Sequence, residues 1–586
     1  MPVLARAVLA AGLAAATAQA WSAEVTIEGI PMRLDKHVRA SLSIVQEADT
    51  AGLSPAAIRA LHRRAREEIR TALEPYGYYR AEVDAELMRG DADWIATYRV
   101  NLGPAVRIRR LDVRVTGAGE DDPEFVALLA RLPIREGDVL EHPNYESARN
   151  QLTTLAAERG YFDARLERRE VRVDIERASA EVALHLDTGV RYAFGAVSFE
   201  PGSGLSEALL ARYVPFRAGE PYSAESLQEL RRGLANSGYF AQIEVAPRHE
   251  LARDEQVPIV IRLAPRAPNE YKLGLGYGTD TGVRAKASWD RRLIGENGHR
   301  VLTELNASQV RTDLTSRYLI PGPDPRTDQW SFNAGYIAEY PETSDSRKVV
   351  AGVAYSAAVG EWRLSAGRVA GWRSTYSASF EREDWETGVD SGRTQLFIPA
   401  VSWLYLNTDN RLVTTEGGRW QTDVRGSAQA LASDVTFAQL LTHGKLIWPL
   451  GERARLITRA DAGATWMDNF SELPSSLRFY AGGDQSVRGY DYRTLGPTDA
   501  AGDVVGGKYL LVGSVEFERR LAERWSAAAF YDVGNAFDDW GGSFFGGAGI
   551  GGRWRSPIGL VRLDVAWAVS LEDRPWRIHL VIGPDL

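Results

Sequence analysis

At 586 residues the chain is too long for one ordinary domain, and a scale of about 150 residues per domain sets a prior of about four. It has no cysteine, which excludes disulfides, thiolate metal sites and a cysteine nucleophile. The net charge is −9 and the basic residues are spread rather than striped, which argues against nucleic acid as a partner and makes the acidity a matter of solubility.

Residues 1–20 read as an export signal. Arg6 gives a weak basic start, Val8 to Ala16 form an apolar core, and Ala18 and Ala20 supply the small-x-small pattern for cleavage after Ala20, with Ala23 as the alternative. This core is too short for a membrane anchor, and no later segment holds 18 consecutive apolar residues. Membrane-spanning helices are therefore excluded, leaving an exported soluble protein or a β-barrel.

A repeat follows. Tyr76-Gly77-Tyr78-Tyr79, Arg159-Gly160-Tyr161-Phe162 and Ser237-Gly238-Tyr239-Phe240 place their glycines 83 and 78 residues apart. Each glycine ends an amphipathic helical pattern, for example Ile58, Leu61, Ala65, Ile69 and Leu73, or Leu227, Leu230 and Leu234. There it can turn left-handed to cap the last carbonyls, while the following aromatics fold back on the helix. Ser54 before Pro55 is a start signal for the first of these helices. Two strand-like runs come after each cap, such as Ala241 to Pro247 and Val257 to Leu263, and a strand and a shorter helix come before it. The unit is strand, helix, helix, strand, strand, with helices over one face of a small sheet. Three units are expected, at 24–104, 105–190 and 191–266, and they resemble POTRA domains.

Composition changes at Pro265-Arg266-Ala267-Pro268. Of 16 tryptophans only Trp21 and Trp94 precede it. From Tyr271 onward helical spacing gives way to alternating runs of about ten residues divided by Gly, Asp, Asn and Pro. Leu273, Leu275 and Tyr277 alternate with glycines; Leu511, Val515 and Phe517 form one face of a later run; Ile578, Leu580 and Ile582 lie opposite His579, Val581 and Gly583. Membrane barrel strands need about 9 to 11 residues and aromatic girdles, and residues 267–586 supply about 16 strands at roughly 20 residues per strand and loop. The expected fold is thus α+β repeats followed by an all-β, 16-stranded antiparallel transmembrane barrel, closed because lipid tolerates no unpaired edge.

Between two such runs lies Phe479 to Tyr492, a loop without strand or helix spacing, centred on Val487-Arg488-Gly489-Tyr490. Taken alone it reads as an exposed turn with a solvated arginine. Catalytic spacings are missing from the chain: the eight histidines are scattered, and no G-x-S-x-G elbow occurs. Gly547, Gly549 and Gly552 match a dinucleotide-binding pattern, but Arg553 to Leu563 reads as continuing strand instead of helix. Neither an enzyme, a metal nor a cofactor is expected.

Export signal, three POTRA-like units, barrel and late arginine loop together resemble the BamA and TamA superfamily of outer-membrane assembly proteins. Three units, and the ending Ile582-Gly583-Pro584-Asp585-Leu586, are similar to its TamA branch, although that ending departs from the terminal aromatic common among outer-membrane proteins. The resemblance implies that the loop Val487, Arg488, Gly489, Tyr490 folds into the lumen and is pinned by acidic wall residues. Glu516 and Asp532 fit that role, each lying opposite apolar neighbours (Val515 and Phe517; Tyr531 and Val533), against the alternative of solvated lumen charges. A planar, permanently charged guanidinium suits such a site better than an ammonium.

The resemblance further implies a weak seam between the first strand, near Leu273, Leu275 and Tyr277, and the last, near Ile578, Leu580 and Ile582. The loop is expected to stabilise the interior while leaving that seam free. Implied partners are outer-membrane lipid, a TamB-like periplasm-spanning protein, and unfolded outer-membrane or autotransporter clients. The implied location is the outer membrane of a Gram-negative bacterium, with the POTRA units in the periplasm. Phospholipid transport with the same partner is the alternative function, and a passive pore, adhesin or two-partner-secretion transporter a weaker one.

Overall fold

Each capping glycine adopts the left-handed conformation its position requires, with φ of 86° at Gly77, 85° at Gly160 and 79° at Gly238. Behind Gly77 the Tyr78 amide reaches back to the Leu73 carbonyl (3.3 Å), and behind Gly160 the Tyr161 amide reaches the Ala156 carbonyl (2.9 Å). Carbonyls left over at the helix ends are thereby satisfied. The same junctions carry a second device. The Gly77 carbonyl accepts the Val106 amide (2.9 Å), the Gly160 carbonyl accepts the Tyr192 amide (3.0 Å), and the Tyr239 carbonyl accepts the Arg266 amide (2.7 Å). In each case the helix end holds the chain just past the unit's last strand.

The computed structural model describes residues 23–48, 54–90, 94–365, 368–410, 414–556 and 559–583; the export-signal reading of 1–20 lies outside them. Backbone proximity groups the chain into two units. One runs to Ala196 and includes Arg217–Glu225 and Arg248–Pro258; the other comprises Val197–Phe216, Ser226–Pro247 and the chain from Ile259 onward.

Three small sheets recur, each with its sequentially last strand in the centre. In the first, Trp94–Asn101 pairs parallel with Ala23–Glu28 and antiparallel with Glu82–Arg89. In the second, Ser179–Asp187 is flanked in the same way by Arg107–Thr116 and Arg165–Asp174. The apolar faces of the helices Pro55–Leu73 and His142–Glu158 close these sheets, burying Ile58, Ile69 and Tyr98 in one core and Leu152, Tyr161 and Leu184 in the next. Each such aliphatic side chain contributes roughly 1.5–3 kcal/mol of transfer free energy. Ser54 caps its helix by accepting the Ala57 amide at 3.2 Å. The first unit departs from the two-helix pattern by a third helix, Ser43–Ala48. The chain breaks at Leu42, which is extended, and the Glu68 carboxylate accepts the Ser43 amide (2.9 Å), so the break leaves no unsatisfied donor there.

From Asn269 to Gly583 sixteen strands follow one another in sequence order, consecutive strands paired antiparallel, in a nearly closed barrel. Their lengths range from 8 residues in Trp576–Gly583 to 21 in Asp345–Ser365. Alternation sorts the side chains: Val515 and Phe517 are 51% and 43% exposed while Glu516 between them is 7% exposed. Large apolar side chains outside and carboxylates inside invert the arrangement of a soluble sheet, as a wall facing lipid requires. The run 553–563 is not one strand but is divided between Phe545–Ser556 and Gly559–Ala568. Among the described residues no helix is long and apolar enough to cross a membrane.

Tyr161 of the second junction motif donates its hydroxyl to Asp122 (2.9 Å), which also accepts Arg159 Nε (2.8 Å) and caps the helix Pro123–Ala130 through the Glu124 amide (3.0 Å). Burial works to raise the Asp122 carboxyl, but the Arg159 guanidinium and the two hydrogen bonds outweigh it and hold the pKa below the usual value. A depressed carboxylate pKa stabilises the folded unit above the unfolded pKa, and that contribution is lost as pH falls through the folded value. Asp122→Asn should therefore cost about 1–3 kcal/mol at pH 7. In urea unfolding of residues 24–266 its deficit against the wild type should shrink as pH drops below the carboxylate range; a pH-independent deficit would contradict this assignment.

Candidate functional site

Between the eleventh strand, Ala454–Trp466, and the twelfth, Tyr509–Arg520, the chain makes its long inward loop. Three of its own arginines anchor it. Arg478 donates to Asp390 (2.9 Å) and to the Leu473 and Ser471 carbonyls, and stacks 5.1 Å from the Trp385 ring centre. Arg493 donates to Glu339 (3.1 Å). Arg488 enters the wall itself.

The Arg488 guanidinium meets carboxylates from three strands. Its Nε and Nη2 donate to Asp532 Oδ2 and Oδ1 (2.7 and 2.9 Å) on the thirteenth strand, Trp525–Phe537. Its Nη1 donates to Glu516 Oε2 (2.8 Å) on the twelfth and to Asp564 Oδ2 (3.1 Å) on the fifteenth, Gly559–Ala568. The Phe530 ring lies beneath it, 3.3 Å from its central carbon. On the fourteenth strand, Phe545–Ser556, Arg553 donates to Glu516 Oε1 (2.7 Å from Nη2) and to Asp564 Oδ1. Glu516 and Asp564 each bridge both arginines, making a closed ring of alternating charge. Asp532 and Arg553 are both fully buried. Charges at this depth are tolerated only when every donor and acceptor finds a partner, because stripping water from each ion costs several kcal/mol.

The rest of the motif shapes the approach. Val487 is fully buried with Ala481, Leu495, Val512 and Ala568. Tyr490 donates its hydroxyl to the Gly546 carbonyl (3.2 Å). Gly489 has φ of 97°, and a Cβ there would stand 2.9 Å from the Trp567 carbonyl carbon. A Cβ on Gly547 would stand 1.9 Å from the Arg488 carbonyl oxygen. The glycines that formally match a nucleotide motif thus include one on the inner wall that clears space for the loop's main chain.

Sequence reasoning named Glu516 and Asp532 and missed Asp564, Arg553 and Asp484. Asp564 carried the same signal, since Leu563 beside it is 50% exposed while it is 4% exposed. Arg553 was passed over as part of a strand run next to glycines.

At the seam, Leu273, Leu275 and Tyr277 are exposed, as are Ile578 and Ile582, with Leu580 half-buried. The first strand, Asn269–Gly278, and the last, Trp576–Gly583, lie side by side, yet among the described residues no ladder joins them. The loop does not leave this seam free, contrary to the expectation. Asp484 receives a hydrogen bond from His579 Nδ1 on the last strand, and its amide donates to Asp280 Oδ2 (2.6 Å) just past the first. The Gly489 amide donates to His579 Nε2 (2.9 Å). Local pattern could not reveal contacts that join residues 90, 95 and 204 positions apart.

Comparisons with known proteins agree with this architecture. Residues 294–585 match the Omp85 superfamily domain, 24–102 match the POTRA domain described as TamA domain 1, and 192–266 match a POTRA family described as surface antigen variable number repeat. The chain is 22% identical over 582 residues to the outer membrane protein assembly factor BamA of Neisseria meningitidis serogroup B, covering 88% of this chain and 72% of that one. It is 22% identical over 378 residues to BamA of Nitratidesulfovibrio vulgaris, covering 62% of this chain and about half, 46%, of that protein's length. Its fold is similar to that of crystallised Haemophilus ducreyi BamA lacking POTRA domains 1–3, with a TM-score of 0.64 at 16% identity, over 81% of this chain and 99% of the other.

Removing one member of a buried ion pair typically costs about 3–5 kcal/mol, because its partners are left charged and unpaired. Arg488→Ala should lower barrel stability on that scale, read as loss of the heat-modifiable folded band in semi-native electrophoresis. Arg488→Lys, which keeps the charge but not the fork, should recover only part of it. Two variants that migrate like the wild type would return the loop to a solvated turn.

Proposed function

We infer that this chain, an Omp85 superfamily protein with POTRA domains, is an outer-membrane factor that inserts or translocates client proteins through an opening of its barrel seam. The observation that carries this reading is the pair of unladdered edges between the first and last strands. A barrel wall with an open main-chain edge presents donors and acceptors that a client strand can pair with by β-augmentation. Such templating needs no nucleotide, since main-chain pairing itself supplies the driving force.

The finer assignment is to the TamA branch, supported by the match of 24–102 to a TamA-type first POTRA domain. On this reading the clients are autotransporters and other unfolded outer-membrane proteins, and the POTRA units reach a TamB-like partner across the periplasm. The open strand edge favours protein clients over phospholipid, because a lipid has no main chain to pair.

The absence of native cysteine makes the test clean. Cysteines placed at Gly276 and at a facing position on the last strand should, when oxidised, halt assembly of a client autotransporter, and reductant should restore it. Undiminished assembly by the crosslinked protein rejects the seam mechanism. If client assembly is indifferent but lipid flux to the outer membrane falls, the phospholipid reading replaces it.

A further inference from the structure

Where the ladder between first and last strands is missing, a chain of side chains takes its place, and all of its donors converge on one carboxylate. The Leu580 amide of the last strand donates to Thr279 Oγ1 (3.2 Å). Having accepted there, the Thr279 hydroxyl donates to the two oxygens of Asp484 (3.3 and 3.4 Å). From the other side the Gly489 amide donates to His579 Nε2 (2.9 Å). That nitrogen must then be the acceptor, so the proton of the neutral ring resides on Nδ1 and points at Asp484 Oδ1. The His579 and Asp484 side chains are 1% and 5% exposed.

We propose that Asp484 is the keystone of a side-chain clasp that holds the seam shut, with His579 and Thr279 as the positioning residues that join it to the two strands. The proposal rests on the seam reading above and names the contact that must break when the seam opens. Asp484 stands four residues before Arg488, whose guanidinium is hydrogen-bonded to three wall carboxylates, so the clasp is braced on that ion lattice. Its amide is held by Asp280 Oδ2 (2.6 Å), which fixes the backbone on the side of the first strand.

The donor directions assign both His579 ring nitrogens to protein partners, although ligand atoms of Asp280, Asp484 and His579 lie within 4.8 Å of one another. A cation on His579 Nδ1 would force the ring proton onto Nε2, where it would face the Gly489 amide hydrogen. Both ring nitrogens of His579 are already used by Gly489 and Asp484, while Asp280 Oδ1 has no hydrogen-bond partner. The clasp is equally sensitive to loss of the carboxylate's acceptor character. An amide in its place removes the carboxylate's charge and puts an NH2 group where the second oxygen accepts from the Thr279 hydroxyl.

The test uses the full-length protein in lipid nanodiscs, with spin labels on Leu275→Cys and Ile578→Cys, two outward-facing positions outside the clasp that are 89% and 46% exposed. Dipolar coupling between the labels reads the seam with no client present. In the otherwise unaltered background it should report one narrow, short distance. Asp484→Asn and His579→Phe should add a longer population, Thr279→Val should do the same, and Thr279→Ser should restore the narrow state. Should Asp484→Asn fail to form the barrel, the threonine pair decides alone. A distribution that stays narrow and short in Thr279→Val and in every variant that folds overturns the clasp. A seam that loosens in these variants while client assembly responds neither to them nor to crosslinking leaves the clasp standing and removes the proposed function.

Discussion

A guanidinium cannot shed its proton, so the burial of Arg488 obliges the wall around it to supply negative charge in fixed places. Glu516, Asp532 and Asp564 come from three strands, and Arg553 from a fourth sits between two of them. Five ions can be mutually satisfied only if those strands keep one relative register, and only if the loop enters at one depth. Such a lattice is poor evidence for net stability, because attraction inside a protein little more than offsets the loss of hydration. Its contribution is selection among arrangements: a loop displaced by one residue, or a strand slipped by one, leaves several charges unpaired at several kcal/mol each.

That constraint passes along the loop. Gly489 both clears the Trp567 backbone and gives its amide to His579, while Asp484 reaches the last strand and the turn after the first. The seam, where among the described residues no main-chain ladder joins the first and last strands, is thus held by side chains rooted in the ion lattice around Arg488. Main-chain ladders open only by breaking many hydrogen bonds together, whereas a few side-chain contacts can open and reclose while the rest of the wall stays paired. Strand edges are an aggregation hazard in any sheet, and side chains rather than a main-chain ladder cover the edges here.

Much of this was legible in the sequence wherever a short period governs. Three glycines at near-equal spacing, each ending an amphipathic helix, sufficed to recognise the repeats, because a left-handed cap constrains residue type strongly. Alternation of period two sorted Glu516 from Val515 and Phe517, and Asp532 from its neighbours, onto the inner face. The same alternation placed His579 opposite Ile578 and Leu580, yet gave it no task. What period could not show is which inward residues meet one another. Asp564 and Arg553 join the lattice through pairing across strands, and Asp484 finds Asp280 only because the barrel brings its two ends together. The short helix Ser43–Ala48 was hidden for a different reason: its start is set by a distant carboxylate, Glu68, and not by a local cap.

The central claim is that the loop, the inner wall and the last strand form one cooperative unit. Hydrogen–deuterium exchange, followed by mass spectrometry on peptides covering 482–492 and 576–583, tests it most directly when the folded wild type is compared with Arg488→Lys. If the claim holds, weakening the Arg488 fork raises exchange in both peptides together, the Leu580 region included. Faster exchange confined to the loop, with the last strand as protected as before, would contradict it.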